Sequence, residues 1–383
     1  MNWRRVFLCT LKLIMTESLS SIPSGLQYSA GEELRRRRSV EATAMSVFDG
    51  WSYEEIATPT VDYYSLFERG MGPAEAHRAF RFIDTDGRLL ALRPDVTSGI
   101  ARAAATLFGN RRRPLRFCYG APVFRFTHQS HADWRRESIQ IGCELIGQNT
   151  LAADMEVLAI ACEILNRLGL NGKYIITLND VEIFNGIAEN LAFDPGARNQ
   201  LRQLMDGRNQ ADLESFLAPH VPAHERHAFS KLIRLSGKQE TFAAARKVIT
   251  NSRSQAALDR LESLWRLIDL LSLTDRFEID FGDVSRIDYY TGLTFKIYIE
   301  GAGARVGSGG RYDNLTANFG KAEPAVGFVL DLEVLMGLFT SRADGRERKA
   351  QIVADEDVTA RLREVIRRRA QGERVELNLE ALS

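Results

Sequence analysis

Arg116 to Gly147 reads RFCYGAPVFRFTHQSHADWRRESIQIGCELIG, and this stretch decides the fold. Pro122 to Phe126 has the look of a strand, His128 to Arg136 is a charged, polar loop, and Ser138 to Gly147 alternates polar with apolar. That pattern predicts two antiparallel strands joined by a loop. Side chains repeat with period two along a strand, so Gln140, Gly142 and Glu144 share one face. Ile139, Ile141, Cys143 and Leu145 share the other, the expected core face. The polar face admits two readings. One is a half-buried hairpin with a solvated side. The other is a floor for a small zwitterion, with Glu144 taking an ammonium and Arg125, on the neighbouring strand, gripping a carboxylate.

The chain around this hairpin has 383 residues, enough for a large core and more than one domain. Apolar content of 45% and charged content of 26% are those of a soluble globular protein. Fifty basic residues balance fifty acidic ones, so no global field draws in nucleic acid or an anionic membrane. The basic runs Arg35 to Arg38 and Arg111 to Arg113 read as solvated faces. Cys9, Cys118, Cys143 and Cys162 lack metal-type spacing and predict reduced thiols in a cytoplasmic protein. His220, His224 and His227 have no zinc-pattern companion, so no metal is expected. Met1 to Ile14 is basic, then apolar, but Lys12 breaks the run, and either Met1 or Met15 could be the start. No stretch is long and apolar enough to cross a bilayer.

Taken in order, helices are expected over Gly31 to Phe48, Tyr63 to Arg69 and Ser98 to Phe108, the last capped by Thr97 or Ser98. Trp51 to Pro59 is expected as strand, and Phe80 to Ala91 as a hairpin turning at Asp86-Gly87. Leu151 to Leu168 has helical spacing and ends before Gly169. Strands are expected at Lys173 to Leu178, Glu278 to Gly282, Thr294 to Glu300 and Ala325 to Leu330, and a helix over Leu332 to Phe339. A basic helix at Val358 to Arg369 and a strand at Val375 to Leu379 close the chain. The fold class is therefore α+β, an antiparallel sheet flanked by helices. The expected domains are an extension (1–19), a core (20–183 and 274–340), a helical insertion (184–273) and a short C-terminal region (341–383).

The central hairpin resembles motif 2 of the class II aminoacyl-tRNA synthetases of histidyl type. Four more regions agree in order. EEIATP (54–59) is similar to motif 1, and LRPDVTSG (92–99) to the segment that touches the amino acid. RIDYYTG (286–292) and GGRYDNL (309–315) resemble the second histidine-specific region, and AVGFVLDLEVL (325–335) resembles motif 3. The resemblance implies a class II synthetase-like catalytic-domain fold. It also implies a histidine-sized pocket of Asp95, Thr97, Gln140, Glu144 and Tyr290, with Arg125 near the carboxylate. Tyr289 and Tyr290 alternate faces, so one of the two belongs to the core.

Departures from the synthetase pattern then decide the function. Motif 3 of a synthetase carries an arginine after its acidic residue to grip ATP, but Val334 follows Glu333. The arginine expected at Ser285 is displaced to Arg286, which on a strand means the opposite face. Trp134 occupies or adjoins the place of a phosphate-binding arginine. Some 43 residues (341–383) follow motif 3, too few for the usual anticodon-binding domain. The pattern resembles the ATP phosphoribosyltransferase regulatory subunit family. Membership would imply no catalysis, no cofactor, no tRNA and no membrane. It would also imply a homodimer through the synthetase-like core, a hetero-octamer with a short-form catalytic subunit, and L-histidine as effector. A divergent or truncated histidyl-tRNA synthetase, and a synthetase-like binding protein with another partner, stay open beside it.

Overall fold

A computed structural model of the chain describes residues 21–126, 135–189, 193–284, 289–338, 351–353 and 357–377. The expected N-terminal extension, Trp134, Ser285, Arg286 and most of the loop from His128 lie outside the described residues. The chain divides into two compact units, 1–338 and 339–383.

Helix α1 (Gly31–Gly50) buries Val40, Ala44, Val47 and Phe48, one apolar stripe at helical spacing. Only Glu54–Glu55 of the expected Trp51 to Pro59 strand pairs, as β1, parallel to a later strand. Strand β2 (Val61–Tyr63), helices α2 (Tyr64–Met71) and α3 (Pro73–Ala76), and strands β3 (Arg81–Ile83) and β4 (Leu89–Leu92) follow. Gly87 makes the β3–β4 turn with φ of 75°, a conformation open to glycine. These three strands form a separate small sheet.

Helix α4 (Thr97–Ala105) starts one residue before the expected position, and its cap differs from expectation. Neither Thr97 nor Ser98 caps it. Asp95 does, accepting the Ser98 N–H at 3.3 Å and the Ser98 hydroxyl at 3.1 Å. A carboxylate at a helix start meets both the free N–H groups and the positive end of the dipole. Thr97 is thereby released for another partner.

Strands β5 (Leu115–Phe124) and β6 (Glu137–Ile146) form the hairpin read from the sequence, with Phe117 opposite Glu144 and Ala121 opposite Gln140. Arg125 falls just past the end of β5. Helix α5 (Leu151–Arg167) is capped by Thr150 and followed by Gly169 at φ 76°. Strand β7 (Tyr174–Asp180) leads into a helical run: α6 (Val181–Ala188), α7 (Pro195–Asp206), α8 (Gln210–Leu217) and α9 (Ala223–Leu232). Strand β8 (Ser236–Gly237), α10 (Glu240–Arg246) and α11 (Ser252–Leu270) complete it. The chain returns through β9 (Phe277–Asp280), β10 (Leu293–Ile299), β11 (Arg305–Arg311) and β12 (Ala325–Asp331) to α12 (Leu332–Leu338). Lys296 on β10 ties the helical run to the sheet through Asp206 at 2.8 Å, and it also pairs with Asp283.

Among the described residues nine strands make the main sheet, in the order β1-β5-β6-β12-β11-β10-β7-β9-β8, antiparallel except at β1/β5 and β7/β9. Strand β6 therefore has a neighbour on either side, and Gln140 to Ile146 are buried on both faces. The reading of the hairpin as one with a solvated side fails because helices cover both faces of the sheet. On one face Phe48 of α1 meets Phe328 of β12. On the other, Ile100, Ala101 and Ala104 of α4 pack against Phe117, Tyr119 and Val123 of β5.

The second unit holds β13 (Gln351–Val353), α13 (Val358–Ala370) and β14 (Val375–Leu377), with the two strands parallel. Asp357 caps α13 through the N–H groups of Thr359 and Ala360. Among the described residues no helix is long and apolar enough to cross a membrane.

Candidate functional site

The register of the sheet lays a row of small residues beside Glu144. Gly327 on β12 stands opposite Glu144, and Gly310 on β11 stands opposite Gly327. A Cβ at Gly327 would overlap the Glu144 carboxylate, and one at Gly310 would come within 2.8 Å of the Tyr290 ring. Gly142, two residues before Glu144, lies beneath Tyr119, whose hydroxyl would be 2.6 Å from an added Cβ. The glycines are thus required by what crosses over them.

Glu144 is only 2% exposed. Thr97 donates its hydroxyl to Oε1 at 2.7 Å, and Tyr312 donates to Oε2. Burial pushes the carboxyl up to about 8 against the downward pull of those two hydroxyls, and Asp95 adds a further upward push. Asp95 is itself raised by burial, opposed by its bonds to Ser98 and by the Arg125 guanidinium. Arg125 is half-buried and donates Nε–H to the Pro94 carbonyl at 3.1 Å. Gln140 is buried on the same face of β6 as Glu144. Four residues of strand separate the two by about 13 Å, a span that two long side chains can close around one amino acid.

Tyr289 and Tyr290 meet edge to face at 4.9 Å, and Tyr289 meets Tyr312 at 5.7 Å. Tyr289 packs against both hydrophobic clusters of this face. Burial raises both phenols, and Glu144 and Asp95 push each of them further up. Asp95, Thr97, Glu144, Tyr289 and Tyr290 therefore come together, with Arg125 at the Asp95 end.

Two residues of this cluster escaped the sequence reading. Tyr312 sits inside the GGRYDNL stretch, and its hydroxyl holds Glu144. Tyr119 is fully buried over Gly142. Pairing Cys118 with Cys143 would have put Tyr119 on the Glu144 face, so the signal was present in the strand register.

At the other end of β6 the acidic residue of the motif 3 resemblance is occupied. Glu333 accepts the Ile139 N–H at 2.9 Å, and burial lifts its carboxyl to about 7. Val334 follows it, half-buried, its N–H given to Asp331 at 3.1 Å. An isopropyl group there offers no charge to a phosphate.

Behind the sheet Arg311 is buried against Asp154, with contacts of 3.0 and 2.8 Å to Oδ1, and it also donates to the Gln148 carbonyl at 3.1 Å. A cleft of about 510 Å³ opens beside this pair, lined by Asp154, Asp180, Asp259, Arg260 and Arg311 among others. It lies apart from the Glu144 cluster. Among the described residues no group of His, Cys, Asp and Glu could hold a metal ion.

Residues 25–335 match the family model described as Histidyl-tRNA synthetase. An ATP phosphoribosyltransferase regulatory subunit from Moorella thermoacetica is 34% identical over 363 residues, covering 94% of this chain and 93% of that one. One from Desulfitobacterium hafniense is 31% identical over 363 residues, covering 94% and 92%. Among solved structures, an ATP phosphoribosyltransferase regulatory subunit/histidyl-tRNA synthetase from Bacillus halodurans C has a TM-score of 0.82 at 25% identity, covering 94% of this chain and 93% of that one. The histidyl-tRNA synthetase of Nostoc sp. PCC 7120, at 19% identity and TM-score 0.74 over 95% of this chain and 87% of that one, shares the fold.

Proposed function

The chain belongs to the ATP phosphoribosyltransferase regulatory subunits, within the histidyl-tRNA synthetase family, and on that premise we propose that it activates a short-form catalytic subunit and lets histidine restrain it. The partner joins ATP to phosphoribosyl pyrophosphate in the first step of histidine biosynthesis. The regulatory chain itself performs no chemistry, charges no tRNA and works in the cytoplasm. It dimerises through the synthetase-like core and completes a hetero-octamer with the partner. Asp95, Thr97, Arg125, Gln140, Glu144, Tyr289 and Tyr290 hold the histidine.

The observation that carries this reading is the contrast between the two ends of strand β6. Glu144, Thr97 and Asp95 converge with Arg125 beside them, while Val334 follows a Glu333 already given to Ile139. Losing a preorganised cation from a phosphoryl site costs several kcal/mol of transition-state stabilisation. A sensor keeps the first end and has no use for the second. Histidine can restrain the complex only if it binds two states of it unequally.

The test is phosphoribosyl-ATP formation by a short-form catalytic subunit, with and without this chain, as histidine is titrated in. Activation that histidine suppresses is expected, and Glu144→Ala should abolish the suppression. Unchanged inhibition in that variant would overturn the pocket assignment. The match to the Histidyl-tRNA synthetase model favours a second reading, a divergent synthetase. That reading requires histidine-dependent exchange of pyrophosphate into ATP, which Val334 argues against.

A further inference from the structure

Glu144 is a buried acid with two hydroxyl partners, and among the described residues no lysine or arginine contacts it. The groups around it are Thr97 from α4, Asp95 just before it, Tyr119 from β5, Cys143 beside it on β6, and Tyr289, Tyr290 and Tyr312 from the far wall. One of these is a second buried carboxyl, and the rest are neutral. Arg125 offsets Asp95. The contacts of Thr97 and Tyr312 suit either form of Glu144, since a carboxylate accepts both and a neutral acid accepts one while donating the other.

Burying an anion without a counter-ion is costly, and the group escapes that cost by binding a proton. We propose that the ammonium of the ligand enters this site in exchange for a proton: Glu144 is a neutral carboxylic acid in the ligand-free chain and ionises as the ammonium docks. The O–H bond of the carboxyl breaks, its proton passes to solvent, and the carboxylate stays paired with the incoming cation. The Glu144 end of the site thus gains no net charge. Occupancy by histidine becomes linked to pH, deepening the sensor reading on which this inference rests. The raised titration of Glu144 agrees with this geometry.

The test is calorimetric titration of the full chain with L-histidine, alone and saturated with the short-form catalytic subunit. Two buffers of different ionisation enthalpy are compared at pH 7. Release of close to one proton per ligand is expected. Affinity should rise about fivefold from pH 7 to pH 8 and level off above, the window in which an acid titrating near 8 loses its proton. Glu144→Gln should bind more weakly, with no dependence on buffer or on pH in this range. Histidine binding with no proton release would overturn the exchange and leave the pocket standing. No binding under either condition would overturn both, and a wild-type pH dependence that persists in Glu144→Gln would assign the proton elsewhere.

Discussion

Gly327→Ala is the smallest change that the site should not tolerate. The added Cβ would occupy the space of the Glu144 carboxylate and stand 2.5 Å from the Cys143 carbonyl, which is fixed in the β6–β12 ladder. The side chain has to yield. Moving Glu144 breaks its bonds to Thr97 and Tyr312 and leaves a buried carboxyl poorly partnered. Overpacking of this kind costs about 1–3 kcal/mol, and a buried polar group stripped of its partners costs about 1–3 kcal/mol more. A loss of about 4 kcal/mol is expected, read from urea denaturation at pH 7 as a lower midpoint at unchanged slope. Glu144→Ala clears the space, so in that background Gly327→Ala should cost only about 1–2 kcal/mol, the residue of the clash with the Cys143 carbonyl. A loss below 1 kcal/mol in the wild type, or an additive cycle, would show that the carboxylate is not pinned over Gly327.

Arg311→Met should cost about 3–5 kcal/mol, because it strands Asp154 in the interior. Adding Asp154→Leu should recover most of that by denaturation, and failure to recover would mean that the guanidinium is needed by Gln148 or Asp313 instead. Asp95→Ala removes the cap of α4 and should cost about 0.5–2 kcal/mol in the same assay, with Asp95→Asn milder. The free chain should lose stability as the solution becomes more alkaline. A carboxyl held at about 8 when folded, against 4.5 for the ordinary group, gives stability fully present below pH 4.5 and lost by pH 8, on the order of 5 kcal/mol at most. Glu144→Gln should flatten that fall between pH 6 and 8.5, and parallel curves for the two proteins would refute the assignment.

Periodicity carried much of the fold. The alternation around Gln140 and Glu144 was enough for β6, the Leu151 stripe for α5, and Asp86-Gly87 for the β3–β4 turn. What local pattern could not supply was the cover over each face. Nothing in Ser138 to Gly147 says that α1 will cover one face of the sheet and α4 the other, and those two layers are what bury both faces of β6. The cap of α4 was misread because Thr97 and Ser98 have good capping side chains, and only the tertiary claim of Glu144 on Thr97 decides against them. Tyr119 needed only the β5–β6 register, whereas Tyr312 meets Glu144 from about 170 residues further along the chain, a contact that no local pattern announces.

The glycine-paved row also has a consequence for how a signal could leave this site. Strand β12 carries Gly327 and is hydrogen-bonded along both edges, to β6 and to β11. Each of its amide hydrogens is held in one ladder or the other, inside a strand with no open edge, so they should be among the slowest in the chain. The walls are different in kind: Asp95 precedes a helix, and Tyr289 to Thr291 lie outside any strand. A ligand should therefore leave deuterium uptake at Gly327 unchanged and slow it around residues 95–98 and 289–291. The floor is an anvil, and whatever the site tells a partner is told through its walls.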